Sequence, residues 1–188
     1  MIYRWLFISF LLIFSLAGHA QDFTINLGDT SVQVNYATNI GGTDYGRSEL
    51  RFGYLRNSDY DTDMLEVGLL VIDNAGSKAP GLEVGLGPKL YIARTDCCDA
   101  SAIGLGGVLR YSFGSNSRFF ILGQFYYAPG VVSFADSEGM YEGIVEIGFE
   151  VLPTADIYLG MRDISVDFGG PSNATIDDSG YFGMKFSF

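Results

Sequence analysis

From Gln21 to its end the chain exchanges apolar for polar residues at every second position, and a period of two leaves little choice of secondary structure. Val32, Val34 and Tyr36 alternate with Ser31, Gln33 and Asn35. Leu50, Phe52 and Tyr54 alternate with Glu49, Arg51 and Gly53, and Leu65, Val67, Leu69 and Val71 share one parity against Glu66 and Gly68. The pattern continues through Leu82–Ile92, Ile103–Phe113, Phe119–Tyr127, Tyr141–Val151, Ile157–Met161 and Phe182–Phe188. Such segments are strands with one apolar and one polar face. No helical periodicity competes, and no apolar stretch after Gln21 approaches the length of a membrane-spanning helix.

The polar face sets the environment. It carries Glu, Arg and Lys mixed with many glycines, which suits a narrow lumen where charges pair. The other face is aliphatic and aromatic in nearly every strand, as a lipid-facing belt requires. Hydrocarbon penalises unpaired strand edges, so the sheet must close. The expectation is an all-β fold, a transmembrane antiparallel up-and-down barrel, rather than a secreted β-sandwich. Nine strands are clear, and Phe23, Ile25 and Leu27 supply a short tenth. Ten strands are favoured over eight because bacterial barrels close with an even number. Connections at Gly114–Ser117 and Leu152–Thr154 are short, whereas 129–138 and 165–178 are long; 57–61 and 93–100 fall on the same outer side. Tyr54, Tyr91, Tyr111 and Tyr127 are expected in interfacial girdles.

The first twenty residues stand apart. Arg4 precedes an apolar run from Trp5 to Leu16, and Ala17-Gly18-His19-Ala20 places small residues before a cut after Ala20. This reads as a signal peptide over 1–20, followed by a barrel domain over 21–188. Cleavage leaves ten Lys and Arg against 22 Asp and Glu, so nucleic acid is no partner: a polyanion needs a basic patch. Outer-membrane lipid is the expected surroundings.

The sole histidine, His19, lies in the segment removed, so hydrolases that activate Ser or water with imidazole are not expected. Glu142, Glu146 and Glu150 recur every four residues on one strand face, roughly 13 Å apart, too far for a glycosidase pair within one strand. Pairing across the lumen is expected instead, among Arg51, Glu66, Glu83, Lys89, Arg110, Arg118, Glu142, Glu146, Glu150, Arg162 and Lys185. Loop carboxylates Asp59, Asp61, Asp63, Asp136, Asp177 and Asp178 would form an acidic outer rim. Cys97-Cys98 lie in an outer loop, where a vicinal disulfide, an intermolecular bridge and free thiols are all open. The pattern calls for no metal and no cofactor.

The last strand reads Tyr181-Phe-Gly183-Met-Lys-Phe186-Ser-Phe188, and its glycine followed by aromatics at the third and fifth places resembles the terminal signal bound by barrel-assembly machinery. Gly123-Gln-Phe-Tyr-Tyr-Ala-Pro129, Ile157-Tyr-Leu-Gly-Met-Arg-Asp-Ile164, and Ser48 to Arg56 with the acidic loop beyond resemble the YfaZ family of outer-membrane proteins. The chain departs from that pattern at Gln124, where Glu is expected, and at Cys97-Cys98. The resemblance implies location and fold. The functional expectation is a small, non-enzymatic barrel with an envelope-structural role or limited passage of small solutes. The alternative is a ligand-binding or adhesive barrel acting through its acidic loops. No solute is named by the sequence.

Overall fold

Each alternating segment forms a strand, and the strands close on themselves. The computed structural model describes residues 21–43, 46–76, 79–95, 98–113, 118–135, 137–169 and 174–188. In chain order the strands are β1 (Gln21–Gly28), β2 (Ser31–Thr43), β3 (Gly46–Asn57), β4 (Thr62–Asn74), β5 (Leu82–Arg94), β6 (Asp99–Ser112), β7 (Phe119–Ala128), β8 (Ser133–Ala135), β9 (Gly139–Leu152), β10 (Ala155–Asp167), β11 (Ala174–Asp177) and β12 (Gly180–Ser187). Ten of them form an antiparallel ring, β1 to β7 followed by β9, β10 and β12. β1 closes it against β12, from Asp22↔Ser187 to Gly28↔Tyr181. The alternative of eight strands is thereby excluded, and the short N-terminal segment supplies the tenth.

The other two strands are loop pieces. β8 pairs with β6, and β11 pairs with β10 beyond the point where β12 stops. β1 begins and β12 ends at one rim, which is therefore the periplasmic rim. The long connections carrying β8 and β11 lie at the opposite, outer rim. The first outer connection is an exception, since only Asp29 and Thr30 separate β1 from β2.

The exterior is inverted relative to a soluble protein. Met161 is 73% exposed, Leu105 69% and Val145 66%, while Glu142 and Asp177 are fully buried. Water would penalise that apolar belt and lipid does not, so the barrel is an integral protein of the outer membrane. Tyr54 and Tyr127 are exposed on this face, and Tyr111 packs its edge against Phe113 at 5.3 Å. Tyr91 is a correction to the girdle: only 2% exposed, it points into the lumen. It shares parity with Glu83 and Lys89 on β5, so its side was fixed by the alternation itself.

Inside, small residues make room for rings. A Cβ at Gly183 would meet the Tyr158 ring and Asn26, and one at Gly160 would meet the Tyr181 ring. The two tyrosines then stack edge to face at 6.3 Å. Gly183 of the terminal motif thus has a packing reason for its identity.

Candidate functional site

The lumen has three levels. At the outer level an apolar cluster fills the barrel. Leu55, Met64, Ala93, Ala100, Ala102, Ala128, Met140, Ile164 and Val166 come from the wall, and Ile176 descends from β11. The sequence signal was faint but present. Near the outer strand ends both parities turn apolar, as in Tyr54-Leu55, Met64-Leu65 and Ile92-Ala93.

The middle level is a continuous buried polar network. Lys89 Nζ lies 2.6 Å from Glu66 Oε2 and 2.8 Å from Glu142 Oε2. Glu142 also accepts from the Tyr91 hydroxyl at 2.5 Å and from Gln124 Nε2 at 2.6 Å. Gln33 Nε2 donates to Glu66 at 3.4 Å, and Gln33 Oε1 accepts from Arg162 Nη1 at 2.5 Å. Arg162 Nε donates to Asp177 Oδ2 at 2.6 Å, while Asn57 Nδ2 donates to Asp177 Oδ1 at 2.8 Å. Asn26 links Gln33 to the Tyr158 hydroxyl. Charges so buried persist only when partnered, and here each has several partners. The Tyr126 hydroxyl is buried with no hydrogen-bond partner among the described residues, as is Arg110 Nε at the level below. The Tyr126 ring lies 5.2 Å from Lys89 Nζ.

The inner level is a cavity of about 190 Å³ reaching from Lys89 and Glu66 toward the periplasmic rim. Arg47 pairs with Glu83 at 3.1 Å, and Arg51 with Glu49 at 2.5 Å. On the far wall Arg110 reaches Glu150 at 3.0 Å and Asp156 at 3.4 Å, its guanidinium 4.1 Å from the Phe120 ring centre. Lys185 lies 3.2 Å from Asp156. Glu146 accepts from the Tyr181 hydroxyl at 2.6 Å.

Of the charges expected in the lumen, Arg51, Glu66, Glu83, Lys89, Arg110, Glu142, Glu146, Glu150, Arg162 and Lys185 sit on the inner face, while Arg118 does not. It is exposed just ahead of β7, past the last lumenal turn of the wall. Asp177 is a second correction: it is no rim carboxylate but the buried partner of Arg162. Its neighbour Asp178 does face out and accepts from the Tyr60 hydroxyl at 2.9 Å, a bond that raises the Tyr60 pKa above the ordinary phenol value. Alternation put Glu49 and Asp156 on the polar face without their being counted among the lumen charges, and it passed over Asp22 and Arg47; all four complete the inner ion pairs. Asp22 and Arg47 each stand second in their strand, where the alternating runs are already fading.

At the closing seam Phe188 N donates to Gln21 O at 2.9 Å, and the Phe188 side chain stays exposed on the belt with Phe186. Cys98 N donates to Thr95 Oγ1 at 3.2 Å. Cys97, Asp136 and the segment ending at Ala20 lie outside the described residues.

The family model described as YfaZ precursor matches residues 4–188. The chain belongs to the YfaZ family. This YfaZ barrel is also similar, at 10% identity, to a KdgM porin in complex with disordered oligogalacturonate, over 90% of this chain and 99% of that one, with a TM-score of 0.48. It is similar to a bacterial polysaccharide outer membrane secretin at 11% identity and a TM-score of 0.47, covering 92% of this chain and 66% of that chain. The outer membrane channel DcaP of Acinetobacter baumannii matches at 11% identity over 93% of this chain and 55% of that one, with a TM-score of 0.43. Among curated proteins, none matches.

Proposed function

We propose that this YfaZ-family barrel is a non-enzymatic outer-membrane protein that permits limited passage of small solutes. One observation carries the reading: a charged cavity opens toward the periplasm, and above it the lumen is closed by an apolar cluster and the buried β11 segment. A ten-strand wall leaves little room once side chains fill it. Solutes therefore advance only when the outer packing loosens, which favours slow passage of small species. The cavity's groups serve binding and orientation, since its carboxylates are engaged by arginine, lysine or tyrosine hydroxyl partners.

Swelling of vesicles containing the refolded barrel tests this. The expected result is slow swelling in glycerol and none in a tetrasaccharide. Fast entry of the tetrasaccharide, or vesicles as tight as protein-free ones in glycerol, would contradict limited passage.

A further inference from the structure

On the reading that small solutes enter the lumen, we propose that the inner cavity is a binding site for a zwitterion of amino-acid size. Arg51 takes its carboxylate and Glu146 its ammonium group.

Most charges lining the cavity already have an opposite charge in contact; Arg110, whose Nε is buried without a partner, is still held by Glu150 and Asp156 through Nη2, whereas Arg51 and Glu146 keep more of their binding capacity open. Arg51 gives its Nε–H to Glu49 at 2.5 Å, and among the described residues no acceptor takes its two terminal nitrogens. Glu146 accepts from the Tyr181 hydroxyl at 2.6 Å, and among the described residues no cation lies within ion-pair distance of it. Both side chains line the same cavity.

The topology sets them on opposite walls. Arg51 is on β3 and Glu146 on β9, and these strands stand half-way round the ten-strand ring from one another. Glu49 on the same strand holds Arg51, and Tyr181 of β12 holds Glu146, which leaves a guanidinium end and a carboxylate available to one cavity. A carboxylate accepts two parallel N–H bonds from the free end of an arginine fork. An ammonium group supplies three donors to Glu146 and the Tyr181 oxygen.

Size and charge narrow the class. The cavity, about 190 Å³, has room for a molecule of amino-acid size. Five basic and six acidic side chains line the cavity, so a dianion meets net repulsion. A simple amine leaves Arg51 unanswered, and a simple carboxylate leaves Glu146 unanswered.

The test is isothermal titration of the refolded mature barrel in detergent with L-alanine, propionate, ethylammonium and glycerol. The expected result is saturable L-alanine binding at least tenfold tighter than that of any of the other three. Glu146→Gln should weaken L-alanine at least tenfold while leaving propionate unchanged, and Arg51→Gln should do the same relative to ethylammonium. Variants are first checked for the boiling-dependent mobility shift of a folded barrel, and the four-ligand series on the unaltered protein stands without them. Absent L-alanine binding, or equal affinity for all four compounds, overturns the site. Vesicles that swell in glycerol while L-alanine fails to bind refute the zwitterion site and keep limited passage. L-alanine binding to a barrel whose vesicles stay tight supports the site and refutes passage.

Discussion

Asp177, on the four-residue strand β11, forms a fully buried ion pair and hydrogen bond with Arg162 on the barrel wall. Asn57 from β3 binds the other carboxylate oxygen, so one loop residue ties together two separate parts of the wall. This junction holds Ile176 down in the apolar cluster that closes the outer lumen.

Breaking the pair on one side leaves a buried charge without its partner, at a cost of about 3–5 kcal/mol. Asp177→Ala is therefore expected to unfold at lower denaturant and to free β11. Removing both charges, with Arg162→Met and Asp177→Leu together, should recover much of that loss. Urea titration of the three refolded proteins measures it, and equal stability of Asp177→Ala and the unaltered barrel would show that the junction holds nothing.

A second expectation concerns Gly183, whose missing side chain gives space to the Tyr158 ring. Gly183→Val drives a branched side chain into that ring and into Asn26, which is hydrogen-bonded to the Tyr158 hydroxyl. Overpacking of this kind costs about 1–3 kcal/mol. Pairing it with Tyr158→Ala should relieve most of the defect. Yields of heat-shiftable folded protein read this directly, and no rescue by the second change would refute the ring-over-glycine account.

Much of this architecture was legible because lipid and lumen impose opposite demands on neighbouring residues. The parity of Leu65 against Glu66, or of Ile157 against Arg162, settles which face each takes. The parity of β1 was enough to count the tenth strand. What stayed hidden were features that break the alternation. Leu55, Met64 and Ile164 are apolar yet inward, because the outer lumen is packed like a soluble core. Asp177 looked like solvent-exposed loop acid, and only the return of β11 along β10 reveals its partner. Pair identities were only partly in reach: Glu150 meets Arg110, but Glu142 binds Lys89, because contacts across a barrel depend on tilt and stagger.

Phe188 gives a prediction that separates assembly from folding. Its backbone exchanges hydrogen bonds with Gln21 at the seam, and its ring lies on the exposed belt. Deleting it should lower insertion in cells several-fold while refolding into detergent falls only modestly, the outcome expected of an assembly signal that adds only a small contact to the folded barrel. Equal losses in both settings would assign Phe188 a packing role alone.

Single-channel recording in planar bilayers tests the closed outer lumen most directly. The unaltered barrel should pass small or no current at 1 M salt. Any current at low salt should favour cations, drawn by outer carboxylates such as Asp59, Asp61 and Asp178 and fading as salt screens them. Asp177→Ala, with β11 released, should conduct several-fold more. A large, steady, anion-selective current from the unaltered barrel would contradict a lumen closed by Ile176, Asp177 and the apolar cluster around them.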